Sequence, residues 1–241
     1  MTINLTNPET FFNDHAGLDK KALETLLNDT LLGLDDGELF FQYGLSEALV
    51  LENGTLKTAA FDTTQGFGLR GVLGEVTGYA HSNDLSLQAI KRAGKTVASI
   101  KTGKGGTLAG APRKTNQQFY APDNPLEGFG FEKKVALIQE IETYIRAKDA
   151  RVRKVDVSLV GNWNVIQIMR SGGETAGDIR PLVRLNISVV LEKNGRMESG
   201  VSGAGGRHGY DQFFEKSKWQ KQADEALRIA GVNLTSIPAP A

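Results

Sequence analysis

The sequence predicts an α+β fold, a largely antiparallel or mixed sheet made of two hairpin-rich blocks with helices packed on it. Three observations lead there. Segments of period-two alternation follow one another across short turns, which pairs neighbours as antiparallel hairpins. Asn53-Gly54 and Asn194-Gly195 supply the Asn-Gly pairs that two-residue type I′ turns favour, since both central residues need positive φ. Helical stripes sit between blocks of strands and do not alternate with single strands, which argues against a doubly wound parallel sheet.

The elements follow in order. Asp19 is a natural N-cap for a first helix, with Leu18 placed to staple onto Leu23 and a buried stripe of Leu23, Leu26, Leu27 and Leu31. Asp35-Asp36-Gly37 ends it. Strands are expected over 38–51, 55–62, 65–73 and 76–82, then helices over 85–100 and 131–148. The second of these helices carries Phe131, Val135, Ile138, Ile141 and Ile145 on one face. The connection over 102–130, rich in Gly, Pro, Asn and Gln, exceeds ordinary loop length and suggests function or mobility. Strands over 152–161, 163–170, 178–193 and 196–203 complete the sheet. A last helix, with Trp219, Ala223, Ala226, Leu227 and Ala230 in register, precedes Pro238-Ala239-Pro240.

The stretch 178–209 is the most informative. Ile179, Val183, Leu185, Ile187, Val189 and Leu191 alternate with Asp178, Arg180, Arg184, Asn186, Ser188 and Glu192, a half-buried strand with one polar face. Its return strand holds Gly200, Gly203, Gly205 and Gly206, where missing side chains leave the backbone open to close approach. Arg180 and Arg184 share a strand face, and Arg207 follows the glycines. Arginine's planar fork suits carboxylates and backbone carbonyls of a bound segment. Ion pairing with Asp178, Glu192 or Glu198 is the plainer role for the same arginines. The candidate peptide- or partner-binding residues are therefore Arg180, Arg184, Gly203, Gly205, Gly206 and Arg207.

Composition narrows the function classes. Lys plus Arg and Asp plus Glu each total 28 in 241 residues, so whole-chain charge favours neither nucleic acid nor a membrane surface. There is no Cys, which excludes disulfide and thiolate chemistry and fits a reducing compartment. The N-terminus has no basic region followed by an apolar one, and no apolar run is long enough to span a bilayer. A cytoplasmic location and no membrane partner are expected. One local exception is a basic island of Lys91, Arg92, Lys95, Lys101, Lys104, Arg113 and Lys114 with no acid among them. It could attract phosphate, nucleic acid or acidic protein segments, yet no aromatic residue interleaves with its charges, and a solvated helix face is the simpler reading.

Familiar site motifs fail on inspection. Gly94-Lys95-Thr96 lacks the upstream glycine of a P-loop, since Ala89 stands there, and it falls mid-helix. The run 203–208 puts His208 where a dinucleotide-binding loop has its last glycine. His15, His81 and His208 are scattered and have no ligand spacing. No GxSxG nucleophile elbow is present.

DIRPLVRL followed across a turn by GVSGAGGRHGY resembles the hallmark of the TldD/PmbA family, also called modulators of DNA gyrase, and its TldD branch in particular. DTTQGFGLRGVLGEVTGYA over 62–80 is similar to the family's glycine-punctuated N-terminal hairpin, and VNLTSIPAPA resembles the stretch leading into its second domain. The resemblance implies a zinc peptidase whose metal helix carries HExxxH with a later cysteine ligand. In this chain no His is followed by Glu and Cys is absent. The expectation is thus a single N-terminal, non-metal domain over 1–241, with 233–241 leading toward a metal-binding domain and zinc expected only there. The resemblance further implies a PmbA-type partner subunit in a heterodimer and unfolded peptides as substrates, with this chain guiding substrate and contacting its partner while lacking catalytic residues of its own. Two other classes stay open: a non-catalytic peptide- or protein-binding adaptor, and a phosphate- or nucleic-acid-binding module using the island over 91–114.

Overall fold

The structure, a computed structural model, describes residues 7–101 and 121–237. The expected α+β class holds. Helices α1 (Pro8–Ala16) and α2 (Lys20–Leu31) precede strands β1 (Asp36–Glu52), β2 (Thr55–Leu73) and β3 (Val76–Ser82). Helices α3 (Leu87–Ala98) and α4 (Phe131–Lys148) follow, then β4 (Val152–Arg170), β5 (Thr175–Lys193), β6 (Arg196–Gly206), a 3₁₀ turn over Tyr210–Phe214 and α5 (Lys216–Thr235). The strands form one antiparallel sheet in the order β3-β2-β1-β4-β5-β6. Asn53 and Gly54 have φ of 46° and 76°, and Asn194 and Gly195 have 54° and 80°, as their turns require.

Two expectations need correction. The eight expected strands are six, because 55–62 with 65–73 form the single strand β2, and 152–161 with 163–170 form β4. Apolar alternation lapses at Thr63-Thr64 and at Gly161-Asn162, but extended strand continues through both places. Helix α1 was also unforeseen. Its signals are local: the Asn7 side chain accepts from the Glu9 N–H at 3.0 Å, Pro8 opens the helix, and Gly17 closes it at φ 61°.

Contacts divide the chain into two compact units, 1–44 with 63–122 and 164–180, and 45–62 with 123–163 and 181–241. Strands β1, β2, β4 and β5 give residues to both. Of the expected tail, 233–235 belong to α5 and 238–241 lie outside the described residues, as does most of the long connection, 102–120.

In the first unit Phe11, Phe12, Leu39, Phe41, Leu69, Ile90 and Val97 are buried, with the Phe12 and Phe41 rings 5.3 Å apart. Asp19 caps α2 by accepting from the Ala22 N–H at 2.8 Å, and the four-leucine stripe of α2 is buried as expected. Asp36 at the start of β1 meets two guanidinium groups, Arg70 at 3.1 Å and Arg170 closer still, while Arg70 also reaches Glu38 at 3.1 Å. Burial alone would raise the Asp36 carboxyl, but the hydrogen bond and charge of Arg170, helped by the Gly37 N–H and Arg70, hold it below its ordinary value. A carboxyl depressed in the folded state adds stability that is present above the unfolded value of about 3.9 and is lost as pH falls through the folded value. Urea midpoints measured from about pH 6 down to pH 3 should therefore fall less steeply for Asp36→Asn than for the parent chain.

The second unit buries Val155, Val157, Leu159, Val183, Leu185, Ile187, Val189 and Leu191 of β4 and β5 with residues from α4 and α5. Of the expected inward stripe of α4, Ile138, Ile141 and Ile145 are buried and Val135 packs partly buried on the core, while Phe131 is 46% exposed and Lys134, Leu137 and Glu142 join the buried face. The burial of Lys134 has a polar cause. Lys134 donates to Glu47 Oε2 at 2.7 Å and to the Leu126 carbonyl at 2.8 Å, and its Nζ lies 5.0 Å from the centre of the Tyr210 ring. Helix α5 buries Trp219, Ala223, Ala226, Ala230 and Leu234, a stripe of mostly small side chains that lets its backbone come close to β6.

Candidate functional site

Among the described residues strand β6 ends the sheet and pairs only with β5, so one of its edges has no partner strand there. The two-residue turn sets which backbone groups face that edge. Lys193 and Arg196 close the hairpin as a hydrogen-bonded pair, after which hydrogen-bonded and non-hydrogen-bonded pairs alternate along the ladder. The non-bonded positions on β6 are then Met197, Ser199, Val201, Gly203 and Gly205, whose N–H and C=O groups point away from β5. An independent contact agrees: the Ser199 carbonyl accepts from Asn233 Nδ2 of α5 at 2.9 Å. Near it, Arg196 donates to the carbonyls of Asn233 at 3.0 Å and Ser236 at 2.9 Å, so the end of α5 covers the start of the edge. Val201, Gly203 and Gly205 remain with outward backbone groups that meet no backbone partner among the described residues.

Side-chain direction alternates along the same strand, and it separates the glycines. Gly200 faces α5, where an added Cβ would overlap the Ala226 carbonyl and lie 2.5 Å from the Ala230 nitrogen. Gly206 faces the same way, and a Cβ there would sit 2.6 Å from the His208 ring. Gly203 and Gly205 face the other side, opposite Asn186 and Arg184. Added Cβ atoms would lie 2.6 Å from the Leu185 and Val183 carbonyls respectively, so any side chain would push β6 away from β5. The glycine cluster therefore does two jobs: close helix packing at Gly200, and close strand packing at Gly203 and Gly205.

Each arginine has a partner near it. Arg180 lies in the first unit and pairs with Asp178 at 2.6 Å. Arg184, opposite Gly205, donates to Asn186 Oδ1 at 2.6 Å. Arg207 donates to the Pro181 carbonyl at 3.3 Å. Of the six sequence candidates, the second unit brings together Arg184, Gly203 and Gly205 on one face of the β5–β6 ladder. Glu192 and Glu198, the other acids considered, are taken by Arg153 and Arg196.

A cavity of about 250 Å³ abuts this edge on the α5 side, with the backbone of Ala204 and Gly205 in its wall. Leu185, Phe213 and Trp219 form its apolar part, and His208, Gln212, Lys218, Lys221 and Gln222 its polar part. Sequence reasoning missed this cavity, because its walls come from three separated segments. Only the juxtaposition of GGRHG with a Lys-rich helix start hints at it.

In the first unit, α2 and α3 enclose a wider groove of about 660 Å³ lined by Lys21, Asp29, Lys91 and Lys95 among smaller residues. It holds part of the basic island. Arg92 turns to Asp84 at 3.6 Å, and Lys104, Arg113 and Lys114 lie outside the described residues. Lys95 sits inside α3, not at a strand-to-helix loop, which removes the P-loop geometry.

The residues do not fit a resident metal ion. No group of three or more His, Cys, Asp or Glu among the described residues is arranged to hold one. His15 hydrogen-bonds Gln65 at 3.1 Å, His81 stacks on Tyr79 and His208 bonds the Gly209 carbonyl at 2.8 Å. No described helix is long and apolar enough to cross a membrane.

Residues 37–101 match the family model for PmbA/TldA metallopeptidase domain 1, and residues 124–234 match that for the PmbA/TldA metallopeptidase central domain. A metalloprotease TldD homolog of Haemophilus influenzae is 40% identical over 232 residues, covering 91% of this chain and 48% of that protein. A second TldD homolog, from Buchnera aphidicola, is 36% identical over 210 residues, covering 84% and 44%. The chain spans about half the length of the curated relatives it matches. TldE from Thermococcus kodakarensis has the same fold, with a TM-score of 0.75 over 90% of this chain and 49% of that one at 13% identity. From its two matching domain models and these relatives, the chain belongs to the PmbA/TldD metallopeptidase family.

Proposed function

We propose that this chain is the non-metal, N-terminal part of a TldD-type zinc metallopeptidase, and that it guides unfolded peptides by adding them as a strand to the free edge of β6. The observation that carries the reading is that edge: Val201, Gly203 and Gly205 turn unmatched backbone groups outward on the last strand of the sheet. Main-chain hydrogen bonding ignores side-chain identity, so an edge of this kind suits an enzyme that handles many sequences. On this reading the zinc ligands lie outside this chain. Sequence corresponding to the remainder of the relatives would supply them, and zinc bound there activates water for amide hydrolysis. A PmbA-type partner subunit and a cytoplasmic location complete the proposal, supported by the family and by the absence of Cys from the sequence.

Val201→Pro tests the edge. Val201 is 58% exposed, and its N–H faces outward, so proline removes a donor from the edge and none from the β5 ladder. Fluorescence anisotropy with a labelled unstructured peptide should show binding weakened about tenfold or more, while the melting temperature moves by only a few degrees. Unchanged peptide affinity in a folded variant would refute strand addition at β6.

A further inference from the structure

Beside the β6 edge, the cavity under the start of α5 has a composition of its own. No acidic residue lines it. Lys218 pairs with Glu215 at 3.1 Å, whereas Lys221 has no ion-pair partner among the described residues. Gln222 Oε1 accepts from the Ser202 hydroxyl at 2.8 Å, which leaves its amide N–H groups to donate. His208 Nδ1 donates to the Gly209 carbonyl at 2.8 Å, which leaves Nε2 as the acceptor of the neutral ring. Trp219 is 1% exposed, and its Nε1–H has no acceptor among the described residues. The wall therefore carries positive charge and several donors and has no carboxylate.

Its position gives the charge a use. Gly205 belongs both to the cavity wall and to the free edge. A strand laid along that edge directs alternate side chains to the α5 side of the sheet, where the cavity opens. We propose that this cavity is a subsite for an acidic side chain, Asp or Glu, of the peptide strand added to β6, with Lys221 as its charge partner and Gln222 as a hydrogen-bond donor. The inference rests on the reading of β6 as a peptide-binding edge and adds a preference to it: tolerance along the backbone, selection at one position.

The test uses the 241-residue chain and three fluorescein-labelled nine-residue peptides of Ser, Thr and Val that differ only in a central Glu, Gln or Lys. Anisotropy at about 50 mM salt should rank Glu above Gln above Lys, with about a tenfold gap between Glu and Lys that narrows as salt is raised. Lys221 is exposed, so Lys221→Glu should keep the fold and invert the ranking. Equal affinities for the Glu and Lys peptides, unaltered by Lys221→Glu but all weakened by Val201→Pro, would overturn the subsite and leave the edge standing. Failure of all three peptides to bind the parent chain would overturn both.

Discussion

Glu47→Ala is expected to destabilise the chain by about 3–5 kcal/mol, because it strands a buried ammonium. The Lys134 side chain is 2% exposed and that of Glu47 11%, and they meet at 2.7 Å. A second hydrogen bond to the Leu126 carbonyl and the Tyr210 ring also surround Lys134, and among the described residues no other carboxylate pairs with it. The same burial, with the negative charge of Glu47 as the next cause, pushes the Tyr210 hydroxyl above its ordinary value. Removing both charges tells a different story. Glu47→Leu with Lys134→Met replaces the pair by apolar groups of similar size and should recover most of the loss, since a buried ion pair offsets little more than its own desolvation. Chemical denaturation of the two single variants and the double variant measures the coupling between the residues. A loss below about 1 kcal/mol for Glu47→Ala would mean that water reaches Lys134 and that the pair behaves as a surface bridge.

The second large effect is expected at Gly200. Valine there would drive its side chain into the backbone of α5 between Ala226 and Ala230, where no rotamer change can make room. Overpacking of this kind costs about 1–3 kcal/mol and sometimes more. In a chain of this size each kcal/mol lowers the melting temperature by about 2–4 °C. Gly200→Val should therefore melt about 5–10 °C below the parent chain, with hydrogen exchange speeding up in α5 and β6 ahead of α2 and α3. Gly195→Ala, in a turn with open space around it, would show only the smaller strain of a non-glycine residue at φ 80°. Equal losses at the two positions would rule out close helix packing as the reason for Gly200.

Periodicity and turn chemistry made most of the fold legible. The alternation over 178–193, the two Asn-Gly turns and the leucine stripe of α2 all appear where local pattern places them. What escaped was set by partners distant in sequence. Lys134 reads as a solvent-facing residue until Glu47, 87 positions away, is brought to it, and of the expected α4 stripe only Phe131 is left exposed. The breaks expected at Thr63-Thr64 and Asn162 are absent, since β2 and β4 run on as extended strand where the apolar alternation lapses. At the candidate site, the sequence marked the glycines but could not divide them between helix packing and strand packing. It grouped three arginines by spacing, although each turns to a nearby acceptor: Arg180 to Asp178, Arg184 to Asn186 and Arg207 to Pro181. The cavity beside Gly205 draws on β5, β6 and α5 at once, and no short window of sequence contains it.

The Asn194-Gly195 turn works as a frame setter, in the way that a start position sets a reading frame. Because exactly two residues separate Lys193 from Arg196, every odd-numbered position of β6 from Met197 to Gly205 shows its backbone to the open edge, and every even-numbered position from Glu198 to Gly206 gives its side chain to the α5 side. Frame and packing are locked together. A loop longer by one residue would bring a different set of backbone groups to the edge and at the same time turn the strand's alternation over, so that Val201 would face α5 and Gly200 the opposite side. Neither the open edge nor the helix contact can drift without the other. The length of a two-residue loop, more than any side chain along the strand, governs which amides a passing peptide would find.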